Sequence, residues 1–291
     1  MTSLHERVID WFDAHHRVLP WRSDPAPWAV MVSEFMLQQT PVVRVLPVFD
    51  AWMRTWPTPA DLAAASTGDA VRAWGRLGYP RRALRLHAAA TAIVEHHGGE
   101  VPATYDELIE LPGVGDYTAA AIASFAFGAR HAVLDTNVRR VLARVVEGKQ
   151  FPADAVNKAE RELARSMLPE PGSDRLGAHR WAAATMELGA VVCTAKSPDC
   201  DACPITDLCA WRLAGYPEHD GPARRGQAWA GTDRQVRGRL MAVLRDADGP
   251  VTKAELDAVW DDEIQRERCL DSLVADGLVD PVSEGYFSLP G

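Results

Sequence analysis

Four of the five cysteines fall within seventeen residues: Cys193, Cys200, Cys203 and Cys209, spaced C-x6-C-x2-C-x5-C. In a reducing compartment that spacing predicts a metal centre and not a pair of disulfides. Four thiolates suit structural zinc or an iron–sulfur cluster. Zinc ribbons pair two C-x2-C knuckles across a longer gap, whereas here one knuckle is flanked by unequal loops. Cys269 stands apart and reads as a packing thiol. Two carboxylates suggest a second chemistry. Glu34 is a lone acid among Trp28, Val30, Met31, Val32, Phe35, Met36 and Leu37. Burial in such company raises a carboxyl pKa and keeps a proton ready for donation. Asp135 stands directly before TNVRRVLARV, where an aspartate is a favoured helix N-cap, held rigidly and expected to stay ionised.

The stretch LPGVGDYTAAAIASFA (residues 111–126) places two glycines ahead of a small, apolar helix. Gly113 and Gly115 allow a tight turn and a close backbone approach. The amides of Gly113, Val114 and Gly115, at the mouth of the second helix, are then placed to meet a phosphate. A helix–hairpin–helix of this kind contacts a DNA backbone without reading sequence and without many positive charges.

Helices must position these groups. Apolar residues recur at helical spacing from Val8 to about residue 212, with no convincing alternating strand, so this part is expected to be all-α. Thr58 and Pro59 predict an N-cap and first helical position, Gly78 a helix stop, and Pro41 and Pro47 interruptions. Composition shifts over 213–233, which reads as a linker rich in Pro, Gly and charge. Beyond it, 234–291 predicts three short helices, with Thr252 and Glu255 as a capping box, and a short strand, a winged-helix-like α+β module. A length of 291 residues fits such multi-domain organisation. The start of the chain lacks a signal-peptide pattern and no stretch approaches the roughly 18 apolar residues of a membrane span, so a soluble cytoplasmic protein is expected. The net charge of −9 argues against nucleic acid at first sight, but residues 246–291 alone carry twelve acidic and three basic residues. The first 245 residues are neutral and hold arginine clusters at Arg72, Arg76, Arg81, Arg82 and Arg85, and at Arg130, Arg139, Arg140 and Arg144, each as consistent with a solvated helix face as with a partner.

Together the hairpin, VLDTNVRRVLARV and the four cysteines resemble the helix–hairpin–helix base-excision glycosylases. LPWR (19–22), SEFMLQQTPV (33–42), WGRLGY (74–79), LPGVGDYTAAAIASFAFG (111–128) and MELGAVVCT (186–194) resemble the MutY-type adenine DNA glycosylases, over residues 5 to 212. The resemblance implies a mainly α, two-lobed fold: an iron–sulfur lobe from 1–25 and 130–212, and a six-helix lobe with the hairpin from 26–129. It implies a [4Fe–4S] cluster on Cys193, Cys200, Cys203 and Cys209. It implies a nucleoid-associated monomer acting on double-stranded DNA that contains an adenine mispaired with 8-oxoguanine or guanine. By the same resemblance Glu34 protonates adenine at N7, Asp135 stabilises the sugar cation, Asn137 positions Asp135, and Tyr117 sits near the reacting sugar. Arg17, Trp21 and Glu187 would line the adenine pocket, Gln39 would fill the gap in the base stack, and Tyr79 would wedge beside the opposing base. Arg22 and Gln38, in the same motifs, are further candidate DNA contacts.

Relatives that also cut the strand carry lysine where Tyr117 stands. A lysine amine forms a Schiff base with the sugar and tyrosine cannot, so a glycosylase with little lyase activity is expected. Two features depart from the family. Pro80 follows Tyr79 where a second tyrosine is common, which puts the angle of the wedge in doubt. The tail is too short and helical for a Nudix-like domain that reads 8-oxoguanine, and in this resembles actinobacterial members. Its acidity suits protein packing better than phosphate contact, with Arg234, Arg237 and Arg239 as its basic edge. A mismatch thymine or uracil glycosylase, and a non-catalytic iron–sulfur DNA-binding regulator, remain alternative readings of the same residues.

Overall fold

A computed structural model describes residues 3–23, 25–171, 176–219, 221 and 229–291. In chain order its helices are α1 (Leu4–His15), α2 (Pro20–Ser23), α3 (Pro27–Leu37), α4 (Val42–Thr55), α5 (Pro59–Ala63), α6 (Thr67–Trp74), α7 (Arg81–His96), α8 (Tyr105–Ile109), α9 (Asp116–Phe127), α10 (Thr136–Val145), α11 (Lys158–Ser166), α12 (Ala178–Val191) and α13 (Ala210–Leu213). The C-terminal segment adds α14 (Asp233–Asp246), α15 (Lys253–Asp257) and α16 (Glu263–Ala275) with strands β1 (Val251–Thr252), β2 (Asp280–Ser283) and β3 (Tyr286–Ser288). Up to residue 212 the described chain is helix and loop, as the periodicity predicts.

Local chemistry sets most helix starts. Thr58 caps α5 in a reciprocal box with Asp61, and Pro59 occupies the first turn. Thr252 and Glu255 form the same box on α15. Two expectations are corrected. Pro47 does not break the chain but lies inside α4; the bond it removes would end on the carbonyl of Val43, whose side chain is exposed. The helix containing Trp74 stops at Gly75, which takes φ 54° before Gly78 is reached.

The chain divides into two compact units. The first comprises Met1–Val30, Ala103–Glu110 and Val114–Ala223. Its core joins Val8 and Ile9 of α1 to Val138, Val141 and Leu142 of α10 and Trp181 and Leu188 of α12. Three arginines of α10 that could have belonged to a solvated face are internal. Arg139 meets Glu160 at 2.8 Å, with both side chains buried. Arg140 donates to the carbonyls of Gly189 and Cys193. Arg144, 1% exposed, donates to the carbonyls of Gln150, Thr194 and Ala195. Buried guanidiniums need such partners, because an unsatisfied one costs several kcal/mol.

The second unit comprises Met31–Pro102, Leu111–Gly113 and the C-terminal segment. Trp52 stacks edge-on against Trp56 and Trp74, at 4.6 and 5.6 Å between ring centroids. Of the linker expected over 213–233, residues 220 and 222–228 lie outside the described residues. The tail is the expected winged-helix-like module, helices α14–α16 with an antiparallel three-stranded sheet in the order β1-β3-β2. It packs on α6 and α7. Arg72 donates to the carbonyls of Arg245 and Ala247, Thr67 to that of Gly291, and Arg81 pairs with Asp276 at 3.1 Å. Gly68 of α6 lies so close to the Pro290 carbonyl that a Cβ there would overlap it.

Because backbone cannot yield as a flexible side chain can, Gly68→Ala is expected to cost about 1–3 kcal/mol of stability, read from urea denaturation. Hydrogen exchange at Leu289 and Gly291 should rise with it. Unaltered stability and exchange would show that this contact does not anchor the tail.

Candidate active site and metal centre

Asp135 caps α10 as its sequence position predicts. One carboxylate oxygen accepts from the amides of Asn137 and Val138, at 2.9 and 2.6 Å. The other accepts from the side-chain amide of Asn137 at 2.6 Å. Asn137 is itself fixed, since its side-chain Oδ1 accepts from Arg140 at 2.9 Å. A Cβ on Gly189 of α12 would come within 2.8 Å of the Asn137 backbone carbonyl oxygen, so glycine lets α12 reach this helix start. Burial pushes the Asp135 carboxyl above its ordinary value, against the pull of the three hydrogen bonds and of Arg140. That direction is opposite to the one expected of a capping carboxylate. The sequence shows the donors but not the desolvation.

Tyr117, in the first turn of α9, is half-buried against a small cluster of Ala120, Ala121, Val133 and Ala182. Val133 lies two residues before Asp135, so Tyr117 packs beside the segment that carries the aspartate. Gly115 is the N-cap of α9 and makes no side-chain cap bond. A Cβ on it would meet nothing within 4 Å, which leaves this helix mouth open to an approaching group. Gly113 takes φ 78°, and a Cβ there would press on the Arg85 side chain. The Val114 side chain is buried.

A third group was only partly visible in the sequence. The Glu187 carboxylate, fully buried on α12, is held by Arg17 through its backbone amide and guanidinium at 2.7–3.0 Å and by Arg22 at 2.9 Å. Burial alone would raise its pKa, but the hydrogen bonds from Arg17 and the charge of Arg22 overcome this and hold it at about 2. Trp21, 6% exposed, lies between the two arginines in sequence. All these residues, with Asp135, Asn137 and Tyr117, belong to the first unit.

Glu34, Gln38, Gln39, Tyr79 and Gly113 belong to the second. Glu34 is 5% exposed on α3, between Ser33 and Phe35, which are as deeply buried. Gln39 and Tyr79 both adopt positive φ, 55° and 48°, a conformation that costs a side-chain-bearing residue about 1–3 kcal/mol. Both side chains are exposed, so core packing does not account for it. One buried side chain joins their loops. Arg82 donates to the carbonyls of Phe35, Met36 and Gln38 at the end of α3, to Thr40, and to the Gly78 carbonyl. Burial lowers its pKa to about 10, because its partners are dipoles and not carboxylates. Pro80 is the N-cap of α7 with φ −62°, so the residue that departs from the family pattern begins the next helix directly after the Tyr79 turn.

Cys193, Cys200, Cys203 and Cys209 line one cavity, with Val141, Leu188 and Trp211 as apolar walls. Arg144 caps it, donating to the Cys193 sulfur at 3.3 Å. No disulfide links them. Burial, and then the mutual repulsion of neighbouring thiolates, pushes Cys203 up to about 11. Bound iron would favour the thiolate form of its cysteine ligands. Four sulfur donors around one cavity with apolar walls are the donor set that an iron–sulfur cluster requires. The residues fit a [4Fe–4S] cluster.

Comparison with known proteins agrees. Residues 32–167 match the HhH-GPD superfamily of base excision DNA repair proteins, and 193–209 match the iron–sulfur binding domain of endonuclease III, bounded by the first and last cysteine. The chain is 53% identical to an adenine DNA glycosylase of Mycobacterium tuberculosis over 98% of its own length and 92% of that protein's. It is 42% identical to the human adenine DNA glycosylase over 73% of its length and 40% of that protein's. Its fold matches a thermostable thymine-DNA glycosylase with a TM-score of 0.64 at 25% identity, covering 72% of this chain and 95% of that one. It also matches a trapped endonuclease III–DNA intermediate with a TM-score of 0.60 at 23% identity, over 73% and 95% of the two chains. The chain belongs to the adenine DNA glycosylase family of helix–hairpin–helix base excision repair proteins.

Proposed function

We propose that this protein is a monofunctional glycosylase that hydrolyses the N-glycosidic bond of adenine mispaired with 8-oxoguanine or guanine in duplex DNA. It would act as a cytoplasmic, nucleoid-associated monomer. The observation that carries the reading is the burial of Glu34 in an otherwise apolar helix, in a chain that matches adenine DNA glycosylases along nearly its whole length. Glu34 donates its proton to N7 of adenine, and the C1′–N9 bond breaks with its electrons on the protonated base. The Asp135 carboxylate, aimed by Asn137 and the α10 amides, stabilises the sugar cation until water adds at C1′ and loses a proton. Glu187, fully buried and kept ionised between Arg17 and Arg22, orients these two arginines at the edge of the adenine pocket. Tyr117 adds a hydroxyl beside the sugar but no amine, so the strand stays intact. Gly113, Val114 and Gly115 take a phosphate, while Gln39 and Tyr79 occupy the stack from which the base has left. The cluster, when bound, ties together the loop from Cys193 to Cys209 and supplies no step of the hydrolysis.

A second reading is favoured by one specific observation, the likeness to thymine-DNA glycosylases in sequence (32% identity over 72% of this chain) and in fold. A panel of duplexes with single mispairs separates the two. Release of adenine opposite 8-oxoguanine or guanine is expected, and release of thymine from a G·T duplex with adenine untouched would replace the assignment. Glu34→Gln is expected to slow excision by about 10²–10⁴-fold, the range of a general acid, with DNA binding retained in a gel-shift assay; wild-type turnover in that variant would remove Glu34 from its role.

The raised pKa of Asp135 has a kinetic signature. Asp135 acts as the anion, so the rate falls as pH drops through its folded value, and this acid limb lies above the usual aspartate range. Asn137→Ala removes a bond that favours the anion, so the limb should move to higher pH in single-turnover profiles. A profile that keeps its position would show that Asn137 does not set the ionisation of Asp135.

A further inference from the structure

The cysteine cavity holds one further polar group, outside the four sulfurs and Arg144. Thr206 lies in the loop between Cys203 and Cys209, at the start of a single 3₁₀ turn, Thr206–Leu208, and lines the same cavity as the cysteines. The residue is partly exposed, but its hydroxyl oxygen is buried and has no hydrogen-bond partner among the described residues. Of the buried side-chain nitrogen and oxygen atoms in that condition among the described residues, it is the only one that belongs to the cavity lining. A hydroxyl taken out of water without a partner destabilises a fold. Valine would fill the same space without that cost.

The surrounding turn holds Thr206 in place. Its amide donates to the Cys203 carbonyl at 3.3 Å. Ile205 before it is fully buried, and Asp207 after it accepts two bonds from the Arg7 guanidinium of α1, at 2.6 and 3.0 Å. A branched Cβ leaves threonine few rotamers in which to turn elsewhere. Sulfur already serves as an acceptor in this cavity. Arg144, stacked 4.7 Å from the Trp211 ring centroid, donates to the Cys193 sulfur at 3.3 Å, and the Ile205 amide donates to the Cys203 sulfur. An iron–sulfur cluster adds inorganic sulfides to these thiolates, all of them electron-rich acceptors.

We propose that the Thr206 hydroxyl is a noncovalent anchoring contact of the cluster, donating a hydrogen bond to one of its sulfurs while the four cysteines hold the iron. With the cluster in place, the buried hydroxyl gains the partner it lacks. A donor to sulfur withdraws charge, so it favours the form of the cluster that carries one more electron and raises the midpoint potential. Release of the cluster becomes harder for the same reason, since it leaves the hydroxyl unpaired again. Thr206 is thus a positioning residue for the cluster and takes no part in the chemistry at adenine.

Cluster and contact are tested on the full-length, loaded protein, with iron and sulfide content measured for each variant. Loss of the visible iron–sulfur absorption in excess iron chelator is timed, and the midpoint potential is read from a redox titration followed by electron paramagnetic resonance. A wild type without iron–sulfur absorption would overturn the cluster and the contact together. With a loaded wild type, Thr206→Val, which keeps the shape and removes the donor, is expected to lose its cluster about fivefold faster, the equivalent of one ordinary hydrogen bond, and to show a lower midpoint potential. Thr206→Ser, which keeps the donor and removes the methyl group, should return both readings close to the wild type. An unchanged rate or potential in Thr206→Val, or a change in Thr206→Ser as large as that in Thr206→Val, would overturn the contact. If Thr206→Val takes up no cluster, Thr206→Ala replaces it in the same comparison with Thr206→Ser.

Discussion

A carboxylate can cap a helix and remain an anion only if something else bears the cost of burying it. That constraint governs the first unit. Asp135 receives three hydrogen bonds and still has its pKa raised by burial. Its geometry therefore depends on Asn137, which depends on Arg140, which is anchored on the carbonyls of Gly189 and Cys193. The absent side chain at Gly189 lets α12 approach, and α12 carries Glu187 two residues earlier. Glu187 shows the reverse balance, with two arginines on a buried carboxylate and a pKa of about 2. Two acids of one unit are thus set apart by their neighbours, one pushed above its ordinary value by burial and one held at about 2 by two arginines.

What the sequence reveals follows the range of the interaction. The cysteine spacing, the caps at Thr58, Thr252 and Asp135 and the glycine hairpin are encoded within a few residues, and all are read directly. The burial of Glu34 follows from its flanks. By contrast, Arg17 reaches Glu187 across 170 residues and Arg82 reaches the end of α3 across more than forty. Nothing local distinguishes these arginines from surface ones, and Arg139, Arg140 and Arg144 were equally ambiguous. Pro47 misleads because the one bond it removes falls at Val43, on the solvent side of α4, and the rest of the helix continues past it. Gly75 outruns Gly78 because the chain turns where positive φ is first accessible.

The tail illustrates how net charge misleads about function. Much of its acidity pairs within the module, as Asp233 with Arg268 and Asp257 with Arg266 do. Attachment to α6 and α7 rests on carbonyl acceptors, on the close approach at Gly68 and on one acid, Asp276, that pairs with Arg81. A summed charge averages over these and does not describe the packing.

The left-handed turn at Tyr79 also bears on time. A loop that had to climb into a strained conformation at every encounter would add a slow, uphill step to each inspection of the duplex. Here Arg82 and the Pro80 start of α7 hold that conformation as part of the folded state. The unfavourable backbone energy is absorbed once, when the chain folds, and on the reading proposed above would not be met again at each encounter with a duplex, which leaves the opening of the base pair as the remaining cost.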